Sequence, residues 1–172
     1  MKVLNKKDWS KYLKGGFRVY FGSAAACPHA LIKLFLEEVH QYHDIEVIHG
    51  LTLGEMPWLD DKYQSHLNVS SFFLSPKANE AVQQGRANYI PCYTSEVPQL
   101  FSSGIIPIDL ALIQVTPPDK NGFCSFGAAV ASVQSACKSA KYVIAQINPK
   151  MPRTLGQSFI HIDDIDAVIH HE

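Results

Sequence analysis

The chain has 172 residues, 47% of them apolar, which is the size of one ordinary domain with enough apolar content for a core. Its 15 Lys and Arg nearly balance 16 Asp and Glu, and no basic run offers a footprint for nucleic acid. No stretch approaches the roughly 18 apolar residues of a membrane span and the start lacks a signal-peptide core, so the sequence reads as a soluble cytoplasmic protein without a membrane partner.

In chain order, residues 18–21 are a short apolar run, and the small residues of GSAAACP at 22–28 lead from it to a helix with Pro28 near its first turn. Leu31, Leu34, Phe35, Val39 and Tyr42 recur at helical spacing and predict an amphipathic helix. Residues 46–49 and 67–74 read as strands, the second ended by Pro76, and residues 77–84 as a short helix stopped by Gly85. Residues 87–90 are strand-like, and Ser95 is placed to cap a helix with Glu96 in its first turn. Residues 110–115 are apolar apart from Gln114, as in a strand covered on both faces. Ala129, Val133, Ala136, Cys137 and Ala140 mark one helical face before the strand at 142–147. Ile162, Ile165, Val168 and Ile169 predict one further strand or edge segment, and His170 and His171 a terminal tail.

Strands alternating with helices predict an α/β fold, a mainly parallel open sheet with helices on both faces. Ligands of such sheets bind at the carboxyl ends of the strands. That places residues 22–28, 49–54, 91–96, 116–122 and 148–156 on one edge. The last of these, in AQINPKMPRTLG, stands out. Pro149 and Pro152 remove two backbone donors and fix φ, Gly156 permits a turn, and Asn148, Lys150 and Arg153 are the strong hydrogen-bonding groups. A rigid loop so equipped suits an anionic small molecule.

Gly22, Ser23, Ala24 and Pro28 are candidates for close approach of a ligand to a helix N-terminus, although small residues equally serve strand–helix packing. There is neither a G-x-G-x-x-G nor a Walker lysine. Cys27 precedes a helix but lacks a His and Asn or Asp framework, which favours a structural thiol. The four cysteines show no C-x-x-C and read as reduced thiols. His40 and His43, three apart on the predicted helix, have no third ligand, so no metal site is expected. Glu55 reads as a solvated loop carboxylate, Glu96 as a first-turn charge, and residues 116–122, with Asp119 and Asn121, as a turn leading to the next helix.

VTPPDKNGFCSFG at 115–127, AQINPKMPRTLG at 145–156, the FIHIDDIDAVI tail and ANYIPCYTSEVPQLF at 87–101 together resemble the N-terminal half of the acetyl-CoA hydrolase/transferase family, nearest its branch acting on 4-hydroxybutyrate. The resemblance implies a CoA-transferase superfamily fold and transfer of coenzyme A between short-chain acyl-CoA and acids such as acetate and 4-hydroxybutyrate. A glutamate attacks the thioester to give a mixed anhydride, the CoA thiolate then forms a glutamyl-CoA thioester, and the acceptor carboxylate resolves it. In the family that glutamate belongs to the C-terminal half, so residues 1–172 are expected to be a single N-terminal domain with no catalytic residue of its own. Its partners would be acyl-CoA, small carboxylic acids, a glutamate-bearing half or subunit, and further copies in a homo-oligomer. Asn148, Met151, Pro152 and Arg153, with the small residues at 22–28, are the expected pocket wall. Acyl-CoA hydrolysis, or a non-catalytic assembly role, are the alternatives.

Overall fold

The computed structural model describes residues 2–171; Glu172, at the end of the sequence, lies outside them. Among the described residues the strands are β1 (Arg18–Phe21), β2 (Ile45–His49), β3 (Leu67–Ser71), β4 (Asn88–Tyr89), β5 (Leu110–Val115), β6 (Phe123–Ser125), β7 (Tyr142–Ile147), β8 (Phe159–His161) and β9 (Ala167–His170). The helices are α1 (Trp9–Tyr12), α2 (His29–Glu38), α3 (Pro76–Gln83), α4 (Val97–Ser102) and α5 (Val133–Ser139). Seven strands make one sheet in the order β4-β3-β2-β1-β5-β7-β9, with every neighbouring pair parallel. β6 and β8 form a separate antiparallel ribbon.

The strands alternate cleanly between two cores. Val19 and Phe21 of β1, Leu110 and Leu112 of β5 and Ile144 of β7 join α1, α2 and α3 on one face. Tyr20, Ala111, Ile113, Val115, Val143, Ala145 and Ile147 join α4, α5 and the β6–β8 ribbon on the other. Winding runs outward from β1 to β4, returns to β5 beside β1, and then proceeds to β9. With crossovers of one hand, that reversal carries the connecting helices to the opposite face. The predicted α/β class, parallel sheet and two-sided helices are what the structure contains.

Several boundaries move. The helix expected to reach Tyr42 ends at Glu38 and tightens into a 3-10 turn at Val39–Gln41, after which Asp44, at φ +58°, turns the chain into β2. His40 and His43 therefore share no helical face, and His43 instead stacks on His66 with ring centroids 5.4 Å apart. Ser95 does not cap α4: Glu96 occupies that position and its carboxylate accepts the Tyr93 N–H at 2.9 Å. α3 does carry a side-chain cap, since Ser75 accepts from Ala78. Of the expected C-terminal strand only β9 forms, because a 3-10 turn at Ile162–Asp164 leaves Ile162 and Ile165 outside it, and β8 precedes that turn. His171 is no loose tail, because its N–H donates to Ile147 at 3.1 Å. Residues 116–122 lead into β6 rather than a helix.

β1 is held from one face by Phe21, which meets the edges of Phe35 and Trp58 at 5.4 and 5.2 Å. Phe21→Ala leaves a cavity at the middle of the sheet and is expected to cost about 3–5 kcal/mol in a urea titration; a loss below about 1 kcal/mol contradicts this packing.

Candidate functional site

Because the main sheet is wholly parallel, the chain leaves every strand at the same edge. Residues 22–28, 50–54, 90–96, 116–122 and 148–156 follow β1, β2, β4, β5 and β7 there. The winding reverses between β1 and β5, and the crevice outside such a reversal is where ligands of open α/β sheets bind.

The loop after β1 leaves the sheet at this reversal. Gly22 donates to Leu112 at 2.8 Å, and a Cβ at Gly22 would press on Pro28 and the Leu112 carbonyl. Ala24, at φ +51°, donates to Leu51 at 2.6 Å and bridges to Thr52, fastening this loop to the one after β2. Ser23 and Ala24 are half-buried and Pro28 is buried. Cys27 is 3% exposed and burial pushes its thiol up to about 12, so it is no thiolate nucleophile.

The loop after β7 lies across β5 from the loop after β1 and is pinned at three places. Asn148 Oδ1 accepts the Lys150 N–H at 2.8 Å, an Asx turn that shapes its start. Met151 is buried against Gly127, at φ +68°, where any Cβ would collide with the thioether. Arg153 donates to Asp119 at 2.6 Å and to the Phe123 carbonyl at 3.0 Å, and lies over the Phe159 ring. Asp119 also accepts the Asn121 and Phe123 N–H groups; the Phe123 bond is the foremost cause holding its carboxyl below the usual range. Ser125, Thr154 and Ser158 add a knot of hydroxyl bonds at 3.0–3.2 Å. The loop is therefore rigid, as its prolines predict. Met151 holds it from within and Arg153 from the surface, while Pro152 stays exposed.

A chain of carboxamides links α2 to the loop after β7. Gln146 Oε1 accepts the Leu31 N–H in the first turn of α2 at 3.2 Å, and Gln146 Nε2 donates to Gln114 Oε1 at 2.8 Å. Asn148 Nδ2 donates to the same Gln114 oxygen at 3.2 Å. Sequence reading treated Gln114 only as an interruption of an apolar strand; two glutamines at matching depth in two apolar strands were the available signal.

His49, the last residue of β2, is 1% exposed, and burial pushes its imidazole down to about 4. Its Nδ1 faces the Gly50 carbonyl at 2.9 Å and its ring meets Trp58 edge-on. His49 Nε2 and the Trp58 indole nitrogen are buried without a hydrogen-bond partner among the described residues.

Leu53, Phe73, Tyr93 and Leu155 expose large apolar surface on the loops of this edge. Glu55 and Glu96 are exposed there too. A concavity of about 470 Å³ between α5 and the β6–β8 ribbon lies elsewhere, on the sheet face, lined by Phe126, Lys138, Val143 and Phe159. Among the described residues no group of His, Cys, Asp and Glu is arranged for a metal, and all four cysteines are free. No helix is long and apolar enough to cross a membrane.

Comparison with known proteins bears on this edge. Residues 1–172 match the family model for the acetyl-CoA hydrolase/transferase N-terminal domain. The chain is 41% identical over 152 residues to a 4-hydroxybutyrate coenzyme A transferase of Clostridium kluyveri, covering 88% of this chain and 35% of that protein. It is 39% identical over 159 residues to a succinyl-CoA:acetate/propanoyl-CoA:succinate CoA transferase of Fasciola hepatica, covering 91% of this chain and 33% of that one. The crystal structure of a 4-hydroxybutyrate CoA-transferase from Porphyromonas gingivalis superposes with a TM-score of 0.81 at 29% identity, over 99% of this chain and 39% of that one. The chain thus spans about a third of the length of the relatives it matches.

Two outcomes follow from the geometry. Gln146→Leu strands the Leu31 N–H and is expected to cost about 1–3 kcal/mol while speeding hydrogen exchange at Leu31; unchanged exchange would show that the carboxamide chain does not hold α2. An unfolded imidazole binds its proton below about 6.5, whereas His49 does so only near 4, so the unfolded chain holds more protons between these values. Stability therefore rises with pH across that window and falls as pH drops through it. The urea midpoint should track this, and His49→Gln should flatten it.

Proposed function

The chain belongs to the acetyl-CoA hydrolase/transferase N-terminal domain family, and on that premise we propose that it is the pocket-forming, non-nucleophilic part of a CoA-transferase acting between short-chain acyl-CoA and carboxylic acids. One observation carries this reading. The rigid loops at 22–28 and 148–156 leave β1 and β7 on either side of β5, on an edge whose loops carry uncovered Leu53, Tyr93 and Leu155. Such an edge suits a crevice completed by further protein. The relatives, about three times as long, have room for that protein.

In this scheme the nucleophilic glutamate comes from the completing segment or a partner subunit. Its carboxylate attacks the acyl-CoA carbonyl and expels CoA thiolate, leaving a mixed anhydride. The thiolate attacks the glutamyl carbonyl of that anhydride, releasing the first acid and forming glutamyl-CoA, and the acceptor acid then reverses the sequence. This chain contributes the wall that positions the acyl group and excludes water from the thioester, which separates transfer from hydrolysis. Acetate and 4-hydroxybutyrate are the acids to try first, because transferases acting on them are among the relatives.

Incubated alone with acetyl-CoA, this chain is expected to release no thiol and to gain no mass on any glutamate. The complete gene product is expected to move CoA from acetyl-CoA to 4-hydroxybutyrate with ping-pong kinetics. A glutamyl adduct within residues 1–172 sinks the proposal.

A further inference from the structure

The direction of the carboxamide chain is dictated at both ends by main-chain groups. The Leu31 N–H can only donate, so Gln146 must turn its oxygen to α2 and its nitrogen to Gln114. The Lys150 N–H likewise fixes the Asn148 oxygen and sends the Asn148 nitrogen to Gln114. Two donors thus converge on Gln114, which must meet them with its oxygen. Its own amide nitrogen is left pointing the other way and has no partner among the described residues.

That other way is toward the crevice. Gln114 and Gln146 are register partners in β5 and β7, so the oxygen faces β7 and the nitrogen, on the other branch of the carboxamide, faces away from it. β1 pairs with β5 only as far as Leu112, and Gly22 makes the last bond to that strand before the chain turns away. Gln114 therefore stands two residues beyond the pairing, 7% exposed, on the stretch of β5 that β1 no longer covers. The nitrogen is not among the buried side-chain atoms left without a partner, so the little surface that Gln114 exposes includes it, and its two N–H donors are open to whatever enters beside them.

We propose that the Gln114 carboxamide donates to a carboxylate oxygen of the acid substrate in the crevice between β5 and residues 22–28. The assignment rests on the transferase reading for its choice of ligand. It adds the residue that recognises the acid and the reason that residue is pre-oriented: the donor's direction is set by two backbone N–H groups, so no rotamer search accompanies binding. Gln114 is neutral, which lets it hold a carboxylate and later release it as an acyl group.

The test uses Gln114→Glu, which keeps an oxygen facing Gln146 and Asn148 but replaces the outward donor pair with a second oxygen. In the complete gene product the KM for the acceptor acid should rise at least about tenfold at pH near 8, with the KM for acyl-CoA changing less. Transfer should begin to recover as pH falls toward about 4.3, the ordinary glutamate value, because the protonated fraction regains an outward donor. Leu31 hydrogen exchange should match that of the unaltered protein. An unchanged KM, or a loss that low pH does not relieve, overturns the assignment. A second measurement needs no turnover: the Gln114 side-chain amide resonances, identified by their absence in the variant, are followed in the unaltered protein while acetate is added. A saturable shift supports the site even where no CoA transfer is found, and resonances that stay fixed refute it even where transfer is found.

Discussion

Parallel pairing of all seven strands in the main sheet is the constraint from which the remaining architecture follows. A parallel neighbour cannot be reached by a tight turn, so each strand must be followed by a connection long enough to recross the sheet. Those connections cover both faces, which is why β5 can be buried along its whole length. They also force every outgoing loop to one edge. The reversal of winding between β1 and β5 then parts two of those loops, and the crevice is a product of connectivity before any side chain is chosen.

Into that crevice the sequence places a polar assembly that would be unfavourable elsewhere. Two glutamines in apolar strands each carry a desolvation cost, offset only when their hydrogen bonds are made. The α2 N-terminus absorbs one end and the Asx turn at Asn148 the other. The outer latch works differently. Arg153 and Asp119 form a partly exposed pair worth little by itself. Its value is geometric, since it ties the loop after β7 to the turn before β6 through the Phe123 carbonyl as well. The buried chain sets direction, and the exposed latch limits motion.

Long apolar runs made β5 and β7 plain in the sequence, and strands alternating with helices made the parallel sheet so. Shorter elements were not visible. β6 and β8 have three residues each, sit far apart in the chain, and acquire strand geometry only by pairing with one another. α2 stops early because a left-handed Asp44 must bring the chain to β2, a tertiary demand that overrides helical periodicity. Among the residues of this edge, the turn at Asn148 and the close packing at Gly22 were recognisable from loop chemistry. Arg153 looked like a free cation, and only the fold shows its guanidinium spent on Asp119 and Phe123. Gln114 and Gln146 stood out as polar residues in apolar strands, but what joins them is register, and register is not a local property.

The segment before α1 lies against the opposite end of the chain. Val3 bridges to Val168, Leu4 donates to the Val168 carbonyl at 2.8 Å, and Val168 donates to Lys2 at 2.9 Å. During synthesis these first residues leave the ribosome long before β9 exists. They must wait, unpaired, while nearly all of the domain is made. β1 also waits, because its neighbour β5 is separated from it by three other strands of the sheet. Folding during translation can therefore assemble the β1-to-β4 side early but closes only when the final strand emerges. A nascent chain halted before β9 would keep its N-terminal strand segment exposed for chaperones to bind.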